Sequence, residues 1–283
     1  IFEDRSGIVW IGTENNGFYK LKSLSNIDHY LSEANRNTSL SSNKINIIYE
    51  DAYGIIWIGS QAGLNKFDKG KQYFKHHQHW ANQTKTINSN TVCSIFQNTD
   101  ENIWVGTDEG VNIFDNKTGN VKVVKPDFSF TSKQKNNSIY CVFKDNIGDI
   151  YLGTDGGVFY MDGENMVHIP ASGQNENRTY DVLQDDKNRF WFGTKDGLVL
   201  FDKNKQLFHT YTTEDGLPSE IIRTLFKDKQ GTVWVGTDDE GLCKIIEQGN
   251  FISFKTYRND QDKLSTISNN SVLSIHQDKN DFS

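Results

Sequence analysis

Apolar positions along this chain fall in short runs separated by polar, glycine-rich turns. The run Ile45–Glu50 is followed by Asp51-Ala52-Tyr53-Gly54, and then by Ile55–Gly59, Leu64–Phe67 and Gln72–His77. Short runs rich in β-branched and aromatic residues, bounded by Asn, Asp and Gly, read as strands joined by tight turns. The spacing predicts four strands, a to d, over residues 45–77. Strand a is apolar on both faces through Ile45, Ile47, Ile48 and Tyr49, as expected of a strand covered from both sides. The i, i+3, i+4 spacing of an amphipathic helix is missing, which argues against a helical solenoid.

The pattern repeats. Trp10-Ile11-Gly12-Thr13 returns at Trp57, Trp104, Tyr151, Trp191 and Trp234, at intervals of 47, 47, 47, 40 and 43 residues. Six residues before each aromatic stands Asp4, Asp51, Asn98, Asp145, Asp185 or Asp228; six or seven after it stands Gly17, Gly63, Gly110, Gly157, Gly197 or Gly241. Fourteen before it stands Asn43, Asn90, Asn137, Asn177 or, as the exception, Glu220, and Asn270 and Asp278 continue the register in the tail. Units of about 40–50 residues with four strands and a recurrent Trp-x-Gly block mark the blades of a β-propeller. The fold class is all-β, with four-stranded antiparallel blades over about 1–40, 41–87, 88–135, 136–178, 179–219 and 220–268, and 269–283 starting another. That last segment would compete with Ile1–Asp4 for one slot in a six-bladed ring. The expectation is a single propeller domain, or most of one, cut from a seven-bladed ring in a longer protein, with a seventh aromatic at about position 284.

Composition narrows the partners. The 283 residues carry 30 Lys and Arg against 37 Asp and Glu, a net charge of −7. That balance argues against a nucleic-acid face, which is basic, and against contact with an anionic membrane surface. The 29 Asn, 23 Gly and 12% aromatics suit short strands and turns, and a mean hydropathy of −0.64 fits many polar turns around modest cores. Cys93, Cys141 and Cys243 lack any C-x-x-C spacing and read as small buried thiols.

The segment Thr212-Thr213-Glu214-Asp215-Gly216-Leu217-Pro218-Ser219, leading through Ile221–Asp228 to Gly231-Thr232-Val233-Trp234-Val235-Gly236-Thr237, resembles the two-component regulator propeller repeat. Blocks around Trp57 and Trp191 are similar, and the resemblance spans essentially the whole chain; Tyr151, Asn98 and Glu220 depart from it in single blades. It implies the periplasmic sensor region of a hybrid histidine kinase of Bacteroidota. Such a receptor carries a second propeller and downstream sensor domains, acts as a homodimer, and in many cases senses a glycan to switch on polysaccharide use. It implies no cofactor and no catalysis in this region.

Residues recurring in every blade serve the blade: Trp10, Trp57, Trp104, Tyr151, Trp191 and Trp234 are read as packing, and the preceding Asp as a cap of the a–b turn. His77 and His79 would share a strand face, but two imidazoles are not a metal site, and no metal is assigned. Site information lies in what varies: the long d–a connections and the channel-facing entries of strand a. The candidate ligand residues are Trp80, Tyr140, Arg178, Tyr180, Asp181, Glu220 and Arg223, on the face carrying the d–a and b–c loops. Aromatic rings would cover sugar faces, and Arg and carboxylate groups would bond hydroxyls. An oligosaccharide is the expected ligand; a propeller lyase or hydrolase and a scaffold without a ligand are the alternatives.

Overall fold

The computed structural model describes residues 1–283 except 24–25, 37, 82, 84, 100–101, 116, 128–136, 164, 170–177, 250, 264 and 278–283. Asn177 and Asp278 of the repeat therefore lie outside the described residues. The described residues form six four-stranded antiparallel sheets, each built from strands consecutive in sequence. The first strands are Phe2–Glu3, Ile45–Glu50, Val92–Thr99, Ile139–Lys144, Thr179–Gln184 and Ile222–Lys227. The second strands, which carry the Trp-x-Gly blocks, are Val9–Gly12, Ile56–Ser60, Asn102–Thr107, Ile150–Thr154, Phe190–Thr194 and Val233–Thr237. These sheets are the expected blades, numbered 1 to 6 in chain order.

The aromatic of each block packs toward the next blade. Trp10 meets Phe67 of blade 2 edge-on at 5.9 Å, and Trp57 meets Phe114 of blade 3 at 6.3 Å. Tyr151 lies 4.6 Å from Phe190 of blade 5. Trp10, Trp57 and Trp191 are fully buried, and Trp104 and Tyr151 nearly so; burying such a ring contributes roughly 2–3 kcal/mol. Trp234 departs from the expectation. It is half-buried, because no further sheet covers its side of blade 6 among the described residues.

The six-residue spacing from Asp to Trp has a physical cause that the pattern alone did not reveal. One carboxylate oxygen of Asp51 accepts the N–H groups of Tyr53 and Ile55, closing the a–b turn, while the other accepts Trp57 Nε1–H at 2.8 Å. Asp4 with Trp10, Asp185 with Trp191 and Asp228 with Trp234 repeat the arrangement. Burial opposes ionisation of Asp4. The Ser6 hydroxyl, the Trp10 indole, the Ile8 amide and Lys69 outweigh it and hold the carboxyl down to about 2. In blade 3, where Asn98 replaces Asp, Trp104 Nε1 is buried with no partner among the described residues.

The block's hydroxyl closes the b–c turn. Thr13, Ser60, Thr107, Thr154, Thr194 and Thr237 each donate to the carbonyl of the glycine ending that turn, at 2.8–3.0 Å. Those glycines have φ between +74° and +122°, a region that disfavours other side chains. The repeated Asn ties the long d–a connection: Asn43, Asn90 and Asn270 accept, each at 2.7 Å, the backbone N–H of Ser32, His79 and Asn259.

The tail stands between blades 6 and 1. The Asn270 carbonyl takes the Gly241 N–H, and Val272 N–H reaches the Thr237 carbonyl on blade 6. On the other side Ser274 Oγ lies 3.1 Å from the Ile1 amine, and His276 meets Glu3 at 3.1 Å.

The indole–carboxylate bond makes a direct prediction. Trp57→Phe should cost about 1–2 kcal/mol more in urea unfolding than Trp104→Phe, because only the former strips a donor from a buried carboxylate. Equal losses would show that the bond carries no stability.

Candidate functional site

A break in register places the candidate residues. In blade 4, Ile139 pairs with Thr154 and Cys141 with Gly153, so Tyr140 is an extra residue without a cross-strand partner. The same shift leaves Asn46, Cys93, Tyr180 and Arg223 unpaired at the entries of blades 2, 3, 5 and 6. Such a bulge frees one residue from the ladder and re-aims its side chain. All five line one cavity of about 370 Å³ on the propeller axis, joined by Leu273 and Ser274 of the tail and by Ile1.

On one side of this channel the chemistry is dense. The rings of Tyr140 and Tyr180 meet edge-to-face at 5.4 Å. The Arg223 guanidinium lies over Tyr180 at 4.4 Å, and that of Arg178 lies 5.2 Å from Tyr140 and 6.0 Å from Tyr180. Each arginine is held by a carboxylate from a b–c turn: Arg178 Nε donates to Asp155 at 2.7 Å, and Arg223 Nε to Asp238 at 2.6 Å. The other N–H groups of Arg223 have no acceptor among the described residues. Burial raises the Tyr140 hydroxyl above its usual range against the lowering effect of Arg178, so the ring stays neutral at physiological pH.

Of the candidates read from sequence, Tyr140, Arg178, Tyr180, Asp181 and Arg223 come together here. Asp181 lines the cavity, but its oxygens are engaged. They accept Val182 N–H at 2.9 Å, Leu225 N–H at 2.8 Å and the Thr224 hydroxyl at 3.3 Å, which fastens blade 5 to blade 6. Burial pushes this carboxyl up to about 6, against those three donors. Glu220 is not part of the cluster. It is exposed, its carboxylate accepts from Thr213 at 3.2 Å, and its carbonyl takes the Gly197 N–H as the repeated Asn carbonyls do elsewhere. Its position follows the blade repeat. Trp80 is also apart, 57% exposed on the d–a connection of blade 2.

Asp155, Asp238 and Asp108 are not among the residues singled out from sequence. All three stand four residues after the block aromatic, so the repeat register could have found them. Asp108 Oδ1 is buried without a partner among the described residues. Nearby Cys93 is pushed up to about 12 by burial and by Asp108. The histidine run makes no metal site. His76 bonds the Ser39 carbonyl and His79 the Ile87 carbonyl, and no group of three or more potential ligands occurs among the described residues.

Six blades around a channel define a β-propeller, and comparison with known proteins is more specific. The family model for the two component regulator propeller matches residues 39–62, 133–156 and 216–239. The three matched segments cover the first two strands of blades 2, 4 and 6. The extracellular domain of a putative hybrid two-component system from B. thetaiotaomicron is similar over 98% of this chain, with TM-score 0.79 and 25% identity. A second such domain from the same organism is similar with TM-score 0.76 at 17% identity, also over 98% of this chain. This chain covers 37% and 35% of those two chains, little more than a third of their length. Virginiamycin B lyase from Staphylococcus aureus shares the fold at 9% identity and TM-score 0.68, over 90% of this chain and 83% of that one. No curated protein sequence matches the chain.

Asp181 gives the site a signature in pH. Its folded pKa is raised, so between about pH 4 and 6 the native state holds a proton that the unfolded chain releases. Stability should therefore fall as pH rises through that window, by roughly 3 kcal/mol from this group. Asp181→Asn should flatten the pH 4–6 slope measured by urea unfolding. An unchanged slope would show that Asp181 ionises freely in the fold.

Proposed function

We propose that this chain is an extracytoplasmic, non-catalytic sensor propeller of a hybrid two-component receptor, and that it binds an oligosaccharide at the channel mouth. The observation carrying this reading is the convergence of Tyr140, Tyr180 and Arg223, from three successive blades, on one cavity, with Arg178 against the rings of both tyrosines. The tyrosine faces offer apolar surface to the C–H face of a sugar ring. The free N–H groups of Arg223 offer donors to hydroxyl or carboxylate oxygens. The carboxylates of Asp155 and Asp238 hold both guanidinium groups in place before a ligand arrives, which limits the ordering cost of binding.

Similarity to extracellular domains of hybrid two-component systems supports the sensor reading and its place outside the cytoplasm. No helix among the described residues is long and apolar enough to cross a membrane. In the whole receptor, a second propeller, downstream domains and a homodimeric partner would receive the signal. The ligand would shift the balance between two receptor arrangements by its differential affinity for them.

Calorimetry of this chain against a glycan panel tests the reading. A saccharide that binds should lose about tenfold in affinity for each lost contact in a Tyr180→Ala/Arg223→Ala double variant that retains the wild-type unfolding transition. Undiminished affinity in that variant would remove the channel mouth from consideration.

A further inference from the structure

A second cavity, of about 560 Å³, opens on the opposite side of the propeller, between the outer parts of blades 2 and 3. Pockets for small molecules fall in this size range. Its walls include Tyr73, His77 and Phe114, and four lysines reach it: Lys66, Lys69, Lys75 and Lys117. Asp68 is the only acid on its lining, and its carboxylate accepts the Gly70 and Lys71 backbone N–H groups. Lys69 is paired with Asp4 and Glu50. Lys66 lies over the Trp57 ring at 5.1 Å, and neither it nor Lys75 has a carboxylate partner among the described residues.

The equivalent cleft between blades 5 and 6 is of similar size, about 590 Å³, but it carries its own acids. There Arg189 pairs with Asp185 and Glu247, and Lys187 with Glu247. In the cleft of blades 2 and 3 the acids paired with Lys69, Asp4 and Glu50, lie outside the lining. It also holds an unsatisfied polar atom: His77 Nε2 is buried with no hydrogen-bond partner among the described residues, its ring edge-on to Phe114 at 5.0 Å.

We propose that the outer cleft between blades 2 and 3 is an anion-binding site, taking a carboxylate or sulfate carried on a sugar or aromatic ring. The anion would sit at Lys66 and Lys75, which face each other across adjacent strands, and accept from His77 Nε2–H, while its ring would lie against Tyr73 and Phe114. An isolated buried polar group is costly unless bonded, and the unpaired Lys66 and Lys75 along a cleft concentrate anions. The inference is independent of the channel-mouth reading, because no residue is shared between the two sites.

His77 is a built-in reporter. Its pKa is pushed down to about 4 by burial, then by Lys75, Lys66 and His76, so a bound anion must move it up. The test follows the His77 Cε1–H resonance of the 283-residue chain, assigned by its loss in His77→Gln. It is titrated with a sulfated disaccharide, a diuronate, a neutral disaccharide and benzoate. At least one anionic probe should shift the resonance and raise its titration midpoint, and the neutral disaccharide should do neither. Lys75→Glu, on an exposed strand position, should weaken that binding at least about tenfold, and Lys75→Gln should weaken it less. A preference for the anionic saccharides over benzoate assigns a sugar ring, and the reverse assigns an aromatic acid. Failure of every anionic probe, an equal response to the neutral disaccharide, or unchanged binding in folded Lys75→Glu would overturn the proposal.

Discussion

Strand a of each blade rides directly over the glycine of the preceding blade's Trp-x-Gly block, and the rest of the ring is built on that contact. A methyl group added at Gly12 would lie 2.5 Å from Ile45, and at Gly59 2.5 Å from Val92. At Gly153 it would meet the Thr179 carbonyl at 2.8 Å, and at Gly236 the Val272 carbonyl at 2.7 Å. Only hydrogen fits there. The close approach brings successive sheets together around the axis and presses each block aromatic against its neighbour. The Asp–Trp bond and the Thr–Gly turn bond fix the two ends of the strand that carries the glycine. The tail repeats the contact at Gly236 with no sheet behind it, and Trp234 is half-buried as a consequence.

The same inner contact creates the channel's chemistry. Just beyond each glycine contact the first strand bulges, and the unpaired residue turns to the axis. The blade repeat does not constrain that residue, since no ladder partner or core neighbour requires a given side chain. Asn46 and Cys93 make one wall compact and weakly polar, while Tyr140, Tyr180 and Arg223 make the other aromatic and cationic. A rigid ring thus presents a set of freely variable residues, the division between scaffold and site expected of binding folds.

The fold was legible because its determinants are periodic. One aromatic, one Asp and two glycines recur at fixed offsets, and each maps onto a contact made in most blades. The candidate site was legible only in part, because bulges and turn carboxylates leave a weaker trace. Tyr140, Tyr180 and Arg223 stood out as residues that differ between blades at the same register. Glu220 stood out for the same reason, yet its backbone performs the work of the Asn it replaces, so its side chain is free to vary on the surface. Trp80 was a candidate as an aromatic on a long d–a connection, but position on a loop does not aim a ring at the axis. Asp155 and Asp238 were hidden because Asp is also an ordinary turn residue. Only the three-dimensional distance to Arg178 and Arg223 distinguishes a carboxylate that holds a guanidinium from one that merely faces water.

The glycine contact between successive blades organises the ring, and Gly153→Ala tests this most directly. The added methyl would meet the Cys141 sulfur of its own blade at 2.6 Å and the Thr179 carbonyl of the next at 2.8 Å, and the backbone carbonyl cannot swing aside as a side chain would. Urea unfolding of the variant should show a loss of about 1–3 kcal/mol, the usual cost of overpacking. A variant as stable as the wild type, to within about 0.5 kcal/mol, would contradict the claim that this close approach organises the ring.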